Sequence, residues 1–197
     1  MLKIGLTGNI GSGKTTVSKI FELLGVPIFY ADDAAKGVMV TDTVLISAIK
    51  DAFGGQSYFD DGTLNREHIA AIVFNNSIEL EKLNSLVHPA VFRAFDVWVK
   101  QFSGVPYVIK EAALLFESDS YKMCDYTTMV QSPLETRIKR VMQRDGLSRE
   151  EVEKRNSNQF SEEKKTKLAN YIIKNDELQL VIPQVLELHK LFLSLSH

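Results

Sequence analysis

The chain of 197 residues is 45% hydrophobic and 24% charged, ordinary globular usage that argues against a disordered, fibrous or disulfide-stapled protein and favours one core with an appended subregion. A formal net charge of -2 supplies no long-range field for a polyanion, so no nucleic-acid partner is expected and phosphate chemistry must rest on local positive clusters. The lone cysteine, Cys124, excludes an intrachain disulfide and a multi-thiolate metal cluster and suits a reducing compartment.

The first predicted element is a strand over residues 2–7. It meets glycine before a signal-peptide apolar core can form, and no later run approaches a membrane span, so a soluble cytoplasmic protein without a membrane partner is expected. Directly after it comes Gly8-Asn9-Ile10-Gly11-Ser12-Gly13-Lys14-Thr15, a full match to G-x-x-x-x-G-K-[ST], and directly after that a predicted helix over 15–24. Strand, glycine loop and helix in this order form a phosphate cradle. Glycines allow backbone N–H groups to converge on phosphate oxygens, and the helix adds its positive N-terminal end. The motif assigns Lys14 to the β- and γ-phosphates of a nucleoside triphosphate and Thr15 to Mg²⁺.

A second strand, 27–30, ends at Tyr30-Ala31-Asp32-Asp33. Carboxylates here lie at the carboxyl edge of a parallel sheet, where α/β proteins bind ligands. Asp32 has two readings: it accepts or orients the proton of an attacking hydroxyl, or Asp32 or Asp33 caps the helix that follows. Residues 42–102 hold helical patterns, among them 44–53 and 79–102, and no convincing strand. That is too much for one crossover, so a helical substrate-binding insertion is expected there. Within it His88 precedes Pro89, which biases His88 out of the α region and marks a helix break.

Further strands are predicted at 107–109, 126–130 and 171–173, and further helices at 133–144 and 178–195. The last carries an apolar stripe of Val181, Val185, Leu188 and Phe192. Strands alternating with helices imply an α/β fold with a parallel sheet covered on both faces. Residues 137–167 are densely charged, with Gly146 as a hinge, and read either as solvated helices or as a mobile lid. Arg140 and Arg144, at i and i+4, share one helix face and serve either solvent or phosphoryl oxygens. Glu117, after an apolar run, is a helix start or a contact to the substrate or to the metal's surroundings. The guanine-reading N-K-x-D element does not occur.

Taken together, the run from Ile4 to Thr15, Ala31-Asp32, Asp61 to Arg66, Leu83 to Pro89, Leu114-Leu115-Phe116-Glu117, Arg140 to Arg144 and Arg155 to Gln159 resembles the dephospho-CoA kinase family over nearly the whole chain. The combination of Val87-His88-Pro89 with Leu114 to Glu117 is the specific part. The resemblance implies a P-loop three-layer fold with a five-stranded parallel sheet. The core would span about 1–41, 103–136 and 168–197, the helical insertion about 42–102 and the lid about 137–167. It implies ATP with Mg²⁺ as co-substrate, dephospho-CoA as acceptor, and a monomer or small homo-oligomer. Asp32, Lys14 and Arg140 become the catalytic candidates. Gly8, Gly11, Ser12, Gly13, Lys14, Thr15, Thr16, Arg140, Arg144 and Asn175 become ATP-binding candidates, with Thr15 the metal ligand. Asp32, His88, Glu117 and Arg155 become substrate-binding candidates. The chain departs from the family pattern at Asn9, Tyr30, Ala113 and Asn170, and keeps it at Lys14, Thr15 and Asp32.

Overall fold

The computed structural model describes residues 1–74 and 76–196. The chain divides into two compact units, one built from residues 1–30 with 102 onward and the other from Ala31–Gln101.

In the first unit, β1 (Leu2–Thr7) is the central strand of a parallel sheet. On one side it pairs with β3 (Tyr107–Glu111), Ile4 opposite Ile109, and on the other with β4 (Tyr126–Gln131), Leu6 opposite Thr128. The outer strands are β2 (Ile28–Tyr30) beside β3 and β5 (Tyr171–Lys174) beside β4, giving the order β2-β3-β1-β4-β5. A strand paired on both edges and covered on both faces has no solvent face to mark with polar residues, hence its near-continuous apolar run. The five expected strands all form. β3, β4 and β5 continue past the apolar runs into Lys110 and Glu111, Gln131, and Lys174, polar ends that hydropathy does not reveal.

In chain order the helices are α1 (Lys14–Leu23), α2 (Ala31–Thr41), α3 (Thr43–Phe53), α4 (Arg66–Val73), α5 (Ser77–Val99), α6 (Leu134–Asp145), α7 (Arg149–Ser157), α8 (Glu162–Leu168) and α9 (Val181–Leu195). Val17 and Phe21 of α1 and Val185 and Phe192 of α9 join Ile4, Leu6, Tyr107, Ile109, Val130 and Ile173 in the main core. The expected α9 stripe is the face that packs here. The helix starts at Val181 rather than at 178, because Asp176 Oδ1 accepts from the N–H groups of Leu178 and Gln179 and holds those residues in a turn. A second cluster, Ile138, Val141 and Val152, packs on Ile10 and Leu147 and so ties α6 and α7 to the loop after β1.

The second unit is helical. Asp42, Asn65 and Asn76 cap α3, α4 and α5 through side-chain oxygens that accept the N–H of Leu45, of His68, and of Ile78 and Glu79. The Tyr58 hydroxyl donates to the Met39 carbonyl at 2.7 Å, and Asp61 Oδ1 accepts from both the backbone and the hydroxyl of Thr63, shaping the turn at Gly62.

Two expectations are corrected here. Pro89 does not break a helix: α5 runs through it without interruption. A proline inside a helix costs about 3 kcal/mol, but Pro89 is exposed while Leu83, Val87, Ala90, Val91, Phe95 and Val99 bury the opposite face on both sides of it. Nor do Asp32 and Asp33 cap α2. The helix begins at Ala31, so both lie within its first turn, where the positive end of the helix favours carboxylates.

Candidate active site

The loop between β1 and α1 has a conformation open only to glycine at two points. Gly11 has φ 79° and Gly13 has φ 96°. A Cβ would lie 2.4 Å from the Arg137 carbonyl oxygen at the first and 2.3 Å from Asn175 Nδ2 at the second. The Ser12 N–H closes the turn on the Asn9 carbonyl at 3.0 Å. Gly13 is the residue before α1, so the loop delivers its backbone to the positive end of that helix. Lys14 Nζ donates to the Gly8 carbonyl at 3.0 Å and lies 3.9 Å from Glu111 Oε1 at the carboxyl end of β3.

The loop is braced from outside by residues far along the chain. Asn9 Nδ2 donates to the Phe160 carbonyl at 2.9 Å, and the Ile10 N–H donates to Gln159 Oε1 at 2.8 Å. The buried Arg137 of α6 bridges several segments. Its Nε donates to the Ser132 carbonyl at 2.9 Å, and its Nη1 donates to Asn156 Oδ1 at 2.7 Å and the Ile10 carbonyl at 3.4 Å. Burial lowers the Arg137 pKa from its ordinary value, and Glu162, 3.6 Å away, opposes the shift. On the other flank Asn175, just past β5, donates its amide to the Ser12 carbonyl at 2.8 Å.

A cavity of about 290 Å³ opens over the loop, walled by Gly13, Lys14, Thr15 and Thr16 and, from α6, by Arg140 and Arg144. The structure therefore brings most of the expected phosphate-binding residues together. Arg140 donates to Ser132 Oγ at 3.1 Å and to the Asn175 carbonyl at 3.4 Å, with Glu177 Oε1 3.3 Å from its Nη2. Arg144 is exposed and paired with its neighbour Asp145. Thr15 and Thr16 are exposed on the first turn of α1. Among the described residues no cluster of three or more His, Cys, Asp or Glu is arranged to hold a metal ion. A hard cation here would depend on hydroxyl, phosphate and water oxygens.

Other expected residues are engaged elsewhere. Glu117 Oε1 accepts the Phe160 N–H at 2.7 Å and lies 2.9 Å from the ammonium of Lys165, which is fully buried. Lys165 also donates to the Ala113 carbonyl at 2.8 Å. Burial pushes the Lys165 pKa down, and the Glu117 carboxylate pulls it back up. Arg155 is exposed on α7. In the second unit Asp32 is exposed on α2, and the half-buried His88 ring stacks on Phe92 at 6.4 Å between centroids.

The departures from the family pattern have local partners. The Tyr30 hydroxyl donates to Glu22 at 3.0 Å, and burial with the neighbouring carboxylate pushes its pKa up to about 12. Asn170 Oδ1 accepts from the backbone and hydroxyl of Thr127. Asn9 is the residue that reaches Phe160.

Sequence reasoning did not single out Glu111, Arg137, Asn156 or Lys165. Glu111 carried a usable signal, a carboxylate ending a strand next to the one that leads into the loop. Arg137 and Lys165 were hidden in a segment whose charge reads as solvated, and only folding buries them.

The dephospho-CoA kinase family model matches residues 2–180. A dephospho-CoA kinase of Bacteroides fragilis is 37% identical over 187 residues, 95% of this chain and 91% of that protein. The crystal structure of a Thermus thermophilus protein is 34% identical with a TM-score of 0.81, covering 98% of this chain and 96% of that one. The structure of the dephospho-CoA kinase from Campylobacter jejuni is 25% identical with a TM-score of 0.69, covering 99% and 98%. With the phosphate loop, the parallel sheet and a match over most of its length, this chain belongs to the dephospho-CoA kinase family.

Proposed function

We propose that the protein transfers the γ-phosphoryl group of ATP to the ribose 3′-hydroxyl of dephospho-CoA, giving coenzyme A and ADP, the last step of coenzyme A biosynthesis. The observation that carries this reading is one cavity in which the glycine loop, Lys14, Arg140 and Arg144 converge, in a chain that matches the family over residues 2–180.

The triphosphate lies along the loop backbone and the start of α1. Lys14 leaves the Gly8 carbonyl for the β- and γ-phosphates, while Arg140 and Arg144 take up charge that spreads over the transferring group. Thr15, exposed on the first turn of α1 at the cavity, would hold Mg²⁺ through its hydroxyl, and the ion would supply positive charge to the phosphates. Asp32 orients or deprotonates the attacking hydroxyl. His88 and Arg155 serve the acceptor side. Of the segment 137–167, the arginine-bearing face of α6 covers the phosphates and excludes water, which suppresses hydrolysis, while Arg137, Gln159 and Phe160 stay tied to the loop. The reaction runs in the cytoplasm.

The test is ADP release by the purified protein with ATP and Mg²⁺, with dephospho-CoA, adenosine or AMP as acceptor and mass detection of the product. Stimulation by dephospho-CoA alone, with gain of one phosphate on the ribose, is the expected result. A better rate with adenosine or AMP sinks the acceptor assignment.

A further inference from the structure

Glu117 lies in the stretch that most specifically resembles the family, and the sequence reading sends it to the acceptor. Its surroundings point elsewhere. Oε1 is engaged by two donors, the Phe160 N–H at 2.7 Å and the Lys165 ammonium at 2.9 Å, while Oε2 is buried beside it with no hydrogen-bond partner among the described residues. Lys165 is itself fully buried and holds the Ala113 carbonyl at 2.8 Å. A buried ion pair whose ammonium and carboxylate also take backbone partners is held to one geometry, because moving either charge leaves the other buried and uncompensated.

What that pair holds is the connection between α7 and α8. Phe160 sits in this connection, its ring under the Lys164 ammonium at 3.2 Å from the centroid. Its N–H is fixed by Glu117, and its carbonyl accepts from Asn9 Nδ2. The preceding residue, Gln159, accepts the Ile10 N–H. A bonded path therefore runs from Lys165 through Glu117 and Phe160 to Asn9 in the phosphate loop.

From this path we infer that Glu117 and Lys165 are positioning residues for the phosphate loop, setting the placement of Asn9 and Ile10 and through them the affinity for ATP, and that Glu117 is not an acceptor contact. The inference rests on the proposed use of that loop for ATP.

The experiment measures ATP binding by calorimetry without acceptor, and separately the KM for each substrate, in Glu117→Ala, Lys165→Met, Lys165→Arg and Gln159→Ala proteins. Glu117→Ala and Lys165→Met are expected to weaken ATP binding about tenfold or more, the scale of a lost charge-assisted hydrogen bond, with the KM for dephospho-CoA within about twofold. Lys165→Arg, which keeps charge and donors, recovers most of the affinity.

Gln159→Ala cuts the link to Ile10 without touching the ion pair and weakens ATP binding in the same sense. It carries the test if the buried-charge variants do not fold. Wild-type ATP affinity in any folded variant of the ion pair overturns the inference, as does wild-type ATP affinity in Gln159→Ala where none of those variants folds. A Glu117→Ala protein that binds ATP normally but has a raised KM for dephospho-CoA overturns it too. A wild-type protein that fails to bind ATP overturns the proposed function and this inference with it.

Discussion

Asn175 Nδ2 donates to the Ser12 carbonyl at 2.8 Å, joining the loop after the last strand to the loop after the first. The same amide fills the space over Gly13 that any Cβ would need. Asn175→Asp replaces the donor with a carboxylate facing a carbonyl oxygen, next to the site proposed for a triphosphate. ATP affinity should fall at least about tenfold, from the lost hydrogen bond and the added negative charge. Asn175→Ala should fall less, because no charge is added. Calorimetric titration of both variants with ATP provides the comparison.

Lys14→Met should lower the thermal midpoint, since it removes the ammonium that lies 3.9 Å from the buried Glu111 carboxylate and donates to the Gly8 carbonyl. Turnover should drop by about 100-fold or more, the typical cost of removing one preorganised donor from transition-state charge. ADP release under saturating dephospho-CoA is the measurement. A drop under threefold would show that Lys14 does not serve the transferring phosphate.

Asp32→Asn tests the acceptor side. Asp32 is exposed in the first turn of α2, so losing its charge should cost only about 0.3–1 kcal/mol of stability through the helix dipole. If it handles the acceptor proton, kcat should fall by about 10²–10⁴ with ATP binding unchanged. Full turnover with normal ATP affinity would remove Asp32 from the reaction.

The strands were legible because each is a run rich in β-branched, aliphatic or aromatic residues flanked by turns or helical pattern; β1, β3 and β4 are buried on both faces along most of their length, while β5 keeps the pattern with Ile172 exposed. The phosphate loop was legible because its glycines answer to backbone geometry at fixed spacing. Helix α2 was less so. Its sequence, ADDAAKGVMVT, has a glycine in the middle and only Ala31 and Val38 buried, so periodicity hardly marks it. Pro89 misled for a different reason. The local preference against a helix is real, but the tertiary packing of α5 outweighs it. The braces on the loop were illegible for a third reason: Arg137, Asn156, Gln159 and Lys165 act across long sequence separations, and their charged or amide side chains look like surface until the fold closes over them.

Pro89→Ala should stabilise the protein. The new N–H restores a helical hydrogen bond on the exposed side of α5, and alanine is intrinsically about 3 kcal/mol better than proline in a helix interior. Part of that is offset by the greater freedom of the unfolded chain, so a gain of about 1–2 kcal/mol is expected. Urea unfolding should show a higher midpoint, and a lower one would mean that the ring itself packs against something the helix needs.

Asp42 gives a pH test. Its carboxylate accepts the Leu45 N–H at the start of α3 and the Arg93 guanidinium at 2.6 Å, and these bonds, the backbone one first, hold its pKa below the ordinary 3.8. A depressed carboxylate contributes stability that is fully present above 3.8 and is lost as pH falls from there through the lowered value. Asp42→Asn keeps a capping oxygen but no titratable group. Below pH 4 its stability should therefore fall less steeply than that of wild type, measured by urea unfolding at successive pH values. Parallel slopes would show that the Asp42 carboxylate titrates alike in the folded and unfolded chain and that neither the cap nor the Arg93 pair lowers its pKa.

The central place of β1 has a consequence for the order in which the molecule is made. Its two neighbours pair with it through Tyr107 to Glu111 and Tyr126 to Met129, more than a hundred residues downstream of Leu2. At roughly 5–20 residues per second of synthesis, the first strand leaves the ribosome about 5–20 s before either partner exists. The residues that brace the glycine loop, from Arg137 to Asn175, arrive later still. The nascent chain thus carries an apolar strand with both edges unsatisfied until residues beyond Tyr107 are made, which makes Leu2–Thr7 a segment in need of chaperone cover during synthesis.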